Sequence, residues 1–458
     1  MTDDRTDSLP IPELRVIPRA DHGVSRRQMS PNALRVLYRL HEAGFGAFLV
    51  GGAVRDILVG GAPKDFDVAT SATPDQVRAL FRNCRLIGRR FRLAHVVYGR
   101  EIIEVATFRA NVDDGTGDRE VHDGGRVLRD NVYGGIEDDA IRRDFTANAL
   151  YYAIEDFSIR DYTGGYADVE ARLLRLIGDP VARYREDPVR MLRAARLAAK
   201  LDFEIETATA APLPTLAPLL AEAAPARLFE EVLKLFLSGH AVASFERLET
   251  HGLLPALFPE TAQALASNKS GALRRMLIDG LRNTDARVAA DESVSPAFLY
   301  AVLLWPAYCR ALAQLQAQGV HAVDAQRRAA DRVTMHQVAR TALPRRFSLP
   351  MQEIWLLQPR FSLRQRKRVF RLLAHPRFRA AFDFLELRLS ASSGHEEDVA
   401  FWREAQLHPA DAVAASEHDA QAADAAADES SEDGAPRKRR RRRRRPGEAT
   451  SDSASAPA

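Results

Sequence analysis

The 458-residue chain is 46% hydrophobic and 28% charged, enough apolar material for large cores at a length of about three ordinary domains. No apolar run reaches the roughly 20 residues of a membrane span and the polar start lacks the apolar segment of a secretory signal, so a cytoplasmic protein with no membrane partner is expected. Two distant cysteines, Cys84 and Cys309, exclude a disulfide framework or a zinc site, and the net charge of +3 conceals a run of nine basic residues at 437–445 that leaves the remainder net negative.

Residues 1–30 form a polar, proline-bearing extension. Pro31 then opens a short amphipathic helix carrying Ala33, Leu34, Leu37, Leu40 and His41. A strand is expected over 45–50, a turn at Gly51-Gly52, a short helix over 54–59, a second strand over 66–69, and a helix over 74–81 capped by Thr73. Two further strands follow at 94–98 and 101–108. Residues 111–135, rich in Gly and Asp, suggest a mobile surface loop. The pattern over 136–152 predicts one helix carrying Arg142, Arg143 and Asp144 towards an apolar end, with 158–162 closing the sheet. From about residue 168 the pattern is helical to about 402, through 187–200, 225–237 and 242–251. Beyond that the apolar content collapses, and a segment that cannot bury enough surface to offset its ordering entropy is expected to be disordered. The expectation is an α+β protein, with a small mixed sheet in the N-terminal part and an all-α remainder.

Chemistry concentrates at Gly51-Gly52-Ala-Val-Arg55-Asp56 and, nine residues on, Asp65-Phe66-Asp67. Alternation along a strand turns Asp65 and Asp67 to one face, about 7 Å apart, and Phe66 to the core. Paired carboxylates suit magnesium, which prefers oxygen ligands and keeps water and phosphate in its shell. Gly51 and Gly52 let backbone N–H groups approach phosphate oxygens, a helix N-terminus follows, and Arg55 offers a counter-charge.

The strings LVGGAVRD at 49–56, KDFDVAT at 64–70, RRDFTANA at 142–149 and EDPVRMLRAAR at 186–196 resemble the motifs of class II nucleotidyltransferases of the polymerase-β superfamily, which includes bacterial poly(A) polymerases and CCA-adding tRNA nucleotidyltransferases. The resemblance covers roughly residues 15–405. It implies a catalytic head at 31–165, a helical neck at 166–265 that binds nucleotide and RNA, a helical RNA-binding domain at 266–405, and a tail at 406–458 that is first acidic, then Arg-rich. It also implies template-independent extension of RNA 3′ ends from ATP with two magnesium ions, manganese able to substitute, held by Asp65 and Asp67. Asp144 matches a catalytic acid of the family and Arg143 a nucleotide contact, while Glu104 competes for the third-carboxylate role. A part in RNA turnover alongside degradation machinery, and work as a monomer, follow from the resemblance alone.

Asp187 and Arg190 set an acceptor beside a donor, complementing the edge of adenine and cytosine rather than guanine and uracil. That leaves addition of A alone and addition of C, C and A both open. Arg193 and Arg196 match triphosphate contacts, and Arg227, Glu231 and Lys234 match a family helix motif that also suits a salt-bridged face. The segments LIGRRFRLAHVVYG at 86–99 and EIIEVATFR at 101–109, with 358–388, are similar to the poly(A) polymerase version. In the last of these, Arg364, Lys367, Arg368 and Arg371 are expected on one RNA-facing helix side, opposite Val369, Leu372 and Leu373.

Overall fold

Ser30 accepts hydrogen bonds from the backbone of Asn32 and Ala33, and with Pro31 in the first turn it starts helix α1 (Pro31–Glu42), whose Ala33, Val36, Leu37 and Leu40 are buried. The structure is a computed structural model describing residues 13–88, 92–110, 119–121, 127–130, 132–390, 396–411 and 414. Its strands are β1 (Arg15–Ile17), β2 (Ala47–Val50), β3 (Asp67–Thr70), β4 (Cys84–Ile87), β5 (Leu93–Tyr98), β6 (Glu101–Thr107), β7 (Arg119–Val121), β8 (Val127–Asp130), β9 (Leu150–Ala153), β10 (Ile159–Asp161) and, within the part expected to be all helical, the short parallel pair β11 (Leu173–Leu174) and β12 (Glu204–Ile205). Eight of these form one mixed sheet in the order β1-β10-β9-β2-β3-β6-β5-β4, in which β3 and β6 run parallel and every other pair is antiparallel. The expected α+β class holds.

Between the strands lie α2 (Gly52–Leu58), α3 (Pro74–Leu80) and α4 (Ile136–Arg142). Thr73 and Gln76 form a reciprocal capping box at the start of α3. Helices α1 and α3 pack on one sheet face, where Leu49, Val68, Val96, Ile103 and Val105 are buried.

Four expectations need correction. The polar extension contributes an edge strand, because Arg15, Val16 and Ile17 pair with β10. The single helix expected over 136–152 is broken: α4 ends at Arg142, Thr146–Asn148 form a tight turn of 3-10 helix, and β9 occupies a central place in the sheet. The apolar run of β9 is buried on both faces, so it lacks the alternation that identifies a strand. Strand β4 was not foreseen. In place of a structureless loop over 111–135, the described residues include β7 and β8, paired antiparallel.

Next come α5 (Gly165–Glu170), α6 (Pro180–Glu186) and α7 (Val189–Leu201), and the chain is then overwhelmingly helical. Its contacts gather into two units, residues 1–359 with 376–396, and 360–375 with 397 onward. In the first, Pro296–Ala317 is the one helix among the described residues long and apolar enough to cross a membrane. Its Leu299, Tyr300, Leu303, Leu304 and Tyr308 are buried, and Tyr308 stacks on Trp355 with ring centroids 5.0 Å apart, as in a core helix. In the second unit the buried Trp402 indole donates to the Phe361 carbonyl. Residues 1–12 and the basic run at 437–445 lie outside the described residues, as does the tail beyond 414.

Candidate active site

Residues directly opposite one another on neighbouring strands share a sheet face. Val50 stands opposite Asp67, Asp67 beside Glu104, Glu104 opposite His95 and His95 opposite Arg85. This row crosses the face not covered by α1 and α3. Part of the same face is roofed by α4, whose Ile136 and Ala140 pack with Val50, Ala69, Phe108 and Tyr151. The part formed by β4, β5 and β6 is open, with Ile87 46% and Ile102 50% exposed. Asp67 and Glu104 therefore sit where the roof ends.

The predicted alternation holds here: Phe66 and Val68 are buried while Asp65 and Asp67 are exposed, although Asp65 precedes β3. Because Val50 pairs with Asp67, the glycine turn leaves the sheet where the two aspartates enter it. Gly51 has φ +77, a conformation that L side chains rarely adopt, and serves as the N-cap of α2.

Asp67's carboxyl is pushed up to about 6. Partial desolvation by the protein atoms around the carboxyl is the main cause even though the residue still reaches solvent, Glu104 and Asp65 add to it, and Arg143 works against it. Such crowded acidic oxygens fit a divalent cation, which would relieve their repulsion. Among the described residues no three His, Cys, Asp or Glu side chains group closely enough to hold a metal ion by themselves. His95 Nε2 lies 3.5 Å from Glu104.

Arg143 ends α4, its guanidinium held by Asp139 at 3.0 Å and by the Tyr151 hydroxyl at 2.8 Å. Burial opposes its charge, but these two partners raise its pKa above the ordinary arginine value. Its Nη1 lies 3.6 Å from where a Cβ on Gly51 would stand, so this cation faces the glycine turn. Arg55 differs from expectation. It is 2% exposed and donates to Asn148 Oδ1 and Asp56 Oδ1, so it packs beneath the turn and does not project over it.

Asp144 also departs from its expected surroundings. One of its oxygens accepts from Asn148 Nδ2 and the Phe145 N–H, the other from Arg193 Nε at 2.8 Å. Although burial opposes ionisation, Arg193 and these donors hold its carboxyl well below the usual range. With both oxygens committed, Asp144 ties α7 to the sheet domain, and the acid beside Asp67 is Glu104.

On α7 each predicted nucleotide contact already has a protein partner. Arg190 donates to Glu186 at 2.6 Å and Arg196 to Glu231 at 3.0 Å, while Lys234 joins Glu231 at 3.2 Å. Asp187 and Arg190 are not neighbours on one helix, because Asp187 is extended at the end of α6 and Pro188 intervenes before α7. Asp187 instead receives both arms of Arg227, at 3.0 and 2.8 Å. Sequence reading named Arg227 without its partner. It missed Asp139 and Tyr151, whose contacts depend on the β9 it took for helix.

The expected basic face is incomplete. Lys367, Arg368 and Arg371 are exposed on helix Arg366–Leu373 opposite the buried Val369 and Leu372. Arg364 precedes that helix, pairs with Asp398 at 2.6 Å and lies over the Phe401 ring.

A sheet whose glycine turn abuts paired aspartates, with an arginine-bearing helix tied to it, is the arrangement expected of the nucleotidyltransferase class that the sequence motifs resemble. Comparison with known proteins narrows the class. Residues 47–175 match the "Poly A polymerase head domain", 202–265 the "Probable RNA and SrmB- binding site of polymerase A", and 318–446 the "Polymerase A arginine-rich C-terminus". Poly(A) polymerase I of Salmonella typhi is 50% identical over 396 residues, 85% of each chain. The CC-adding tRNA nucleotidyltransferase of Halalkalibacterium halodurans is 37% identical over 222 residues, 48% of this chain and 52% of its own. Among solved structures, the Bacillus stearothermophilus CCA-adding enzyme in complex with CTP aligns with a TM-score of 0.55 at 26% identity, covering 82% of each chain. The chain belongs to the bacterial poly(A) polymerase family.

Proposed function

We infer that this protein lengthens RNA 3′ ends with adenylate from ATP, without a template. Similarity to poly(A) polymerases along most of the chain supports this product, whereas the CC-adding relative matches only about half of it. The observation that carries the chemistry is the pairing of Val50 with Asp67, which sets the glycine turn beside the carboxylates.

In this reading the triphosphate lies against Gly51, Gly52 and Arg143, and the RNA 3′-hydroxyl attacks the α-phosphorus in line. A P–O bond to the RNA forms, the bond to pyrophosphate breaks, and the hydroxyl proton passes to solvent water. Asp65 and Asp67, with Glu104 as the proposed third carboxylate, would hold two divalent cations, magnesium or manganese, which when bound supply Lewis-acid stabilisation of both reacting oxygens. Arg143, kept protonated by Tyr151 and Asp139, neutralises phosphate charge without needing to reorient. Asp187, held by Arg227 just before α7, and Arg190, held by Glu186 on α7, would meet the base edge with the lone pairs and N–H groups that these partners leave over, while Arg193 and Arg196 fix α7. The proposed division is a head at 31–165, a neck at 166–265 and an RNA-binding domain at 266–405, with Lys367, Arg368 and Arg371 contacting RNA, and RNA turnover is the process served.

Incubating the protein with a generic RNA and each nucleoside triphosphate singly should give long tails from ATP alone. Completion of CCA on truncated tRNA would replace this reading with the tRNA enzyme. Asp65→Ala should abolish addition while RNA binding persists, and retained turnover would refute the metal-site assignment.

A further inference from the structure

Six side chains form one hydrogen-bonded relay that leaves α7 and returns to it. Arg193 binds Asp144, Asp144 accepts from Asn148 at 3.0 Å, and Asn148 accepts from Arg55. Arg55 also grips Asp56, whose other oxygen accepts from Lys200 Nζ at 3.0 Å. Arg193 and Lys200 both lie on α7, about two turns apart and so on one face. The middle of the relay is inaccessible, Arg55 being 2% and Asn148 8% exposed, whereas the Lys200 side chain is 39% exposed. The relay also touches the phosphate turn, since a Cβ on Gly52 would stand 3.3 Å from Arg55 Nη2.

We propose that Lys200 and Asp56 form a clasp that positions the glycine turn against α7 and thereby sets affinity for the ATP triphosphate. The inference rests on the nucleotidyltransferase reading above. Neither residue touches a substrate; they are positioning residues. Arg55 cannot lift the turn's geometry alone, because its guanidinium is shared between Asn148 and Asp56 and follows whichever of them moves. Among the described residues the Asp56 carboxylate is held by Arg55 within the relay and by Lys200 from outside it, so releasing that ammonium frees one end of the relay while Asp144 still holds the other.

Steady-state kinetics on Lys200→Met tests this. The KM for ATP should rise roughly tenfold, the scale of one lost charged hydrogen bond, with the KM for RNA and the Tm unchanged, and Lys200→Arg should restore the ATP value. Asp56→Asn should raise the ATP KM similarly, and the double variant should be no worse than either single one. An ATP KM equal to the parent's, or ATP and RNA KM values rising together with a fall in Tm, would overturn the clasp. Either result leaves the enzymatic reading standing, since that reading is decided by whether the parent protein adds adenylate from ATP to RNA.

Discussion

The sheet and helix walls of the site manage charge in opposite ways. At β3 and β6, Glu104 lies beside Asp67 across the strand pair and Asp65 stands two residues before it, and Asp67 resists ionisation up to about 6. Along α7, Arg190, Arg193 and Arg196 are matched to Glu186, Asp144 and Glu231. Crowded like charges destabilise a fold and persist where they serve chemistry, whereas matched pairs hold architecture. The proposed function therefore puts the cation and the reacting oxygens at the sheet wall and treats the helix wall as a scaffold whose arginines are held by ion pairs.

Exchanging one acid from each wall gives the largest separation. Glu104→Gln should lower kcat by about two to three orders of magnitude, the scale for removing a group that stabilises transition-state charge, with little change in Tm. Asp144→Asn should cost kcat no more than roughly tenfold. It should instead destabilise the fold by about 2 kcal/mol, below the value for a fully buried pair because the Arg193 side chain is 36% exposed. If Asp144→Asn silenced the enzyme with its Tm intact while Glu104→Gln remained active, the assignment of the two walls would be reversed.

Asp144 offers a second, smaller contrast through acid stability. Its folded-state pKa is depressed relative to the unfolded chain, chiefly by Arg193 acting against the effect of burial. The stability it contributes is fully present above the unfolded value of about 4 and is lost as pH falls through the folded value. Urea unfolding followed from pH 7 down to 3 should show a shallower acid limb in Asp144→Asn than in the parent. Superimposable limbs would mean that Asp144 is not ion-paired in solution.

These contrasts explain what the sequence could disclose. Alternation about Phe66 and the Gly51-Gly52 turn are local signals, fixed by neighbours a few residues away, and both stand where expected. The break after Arg142 is not local. Residues 150–153 are apolar at every position because β9 is covered on both faces, and only its pairing with β2 and β10 makes it a strand. Misreading it hid Tyr151 from Arg143 and left Asp144 on a helix it does not occupy. Likewise Glu104 could not be chosen over Asp144 until the parallel pairing of β3 with β6, across 37 positions of chain, set it beside Asp67. Residue types told which groups could do the chemistry, and strand register told which of them lie side by side.

The smallest expected effect extends the comparison to helix Arg366–Leu373, where Lys367, Arg368 and Arg371 are exposed cations and, among the described residues, have no carboxylate matching like that on α7. If they contact RNA, each neutralises a phosphate and releases counterions, so affinity depends on salt through them. Replacing all three with Ala should reduce the slope of log affinity against log salt by about 2, at roughly 0.7 per contact for a single strand. Arg364 is a different case: its pairing with Asp398 means that Arg364→Ala should change that slope less than any one of the three. Because Val369 and Leu372 on the opposite side stay buried, the triple variant should keep the parent Tm, and with it the kcat at saturating RNA. A salt slope unmoved by the triple substitution would remove this helix from the RNA path.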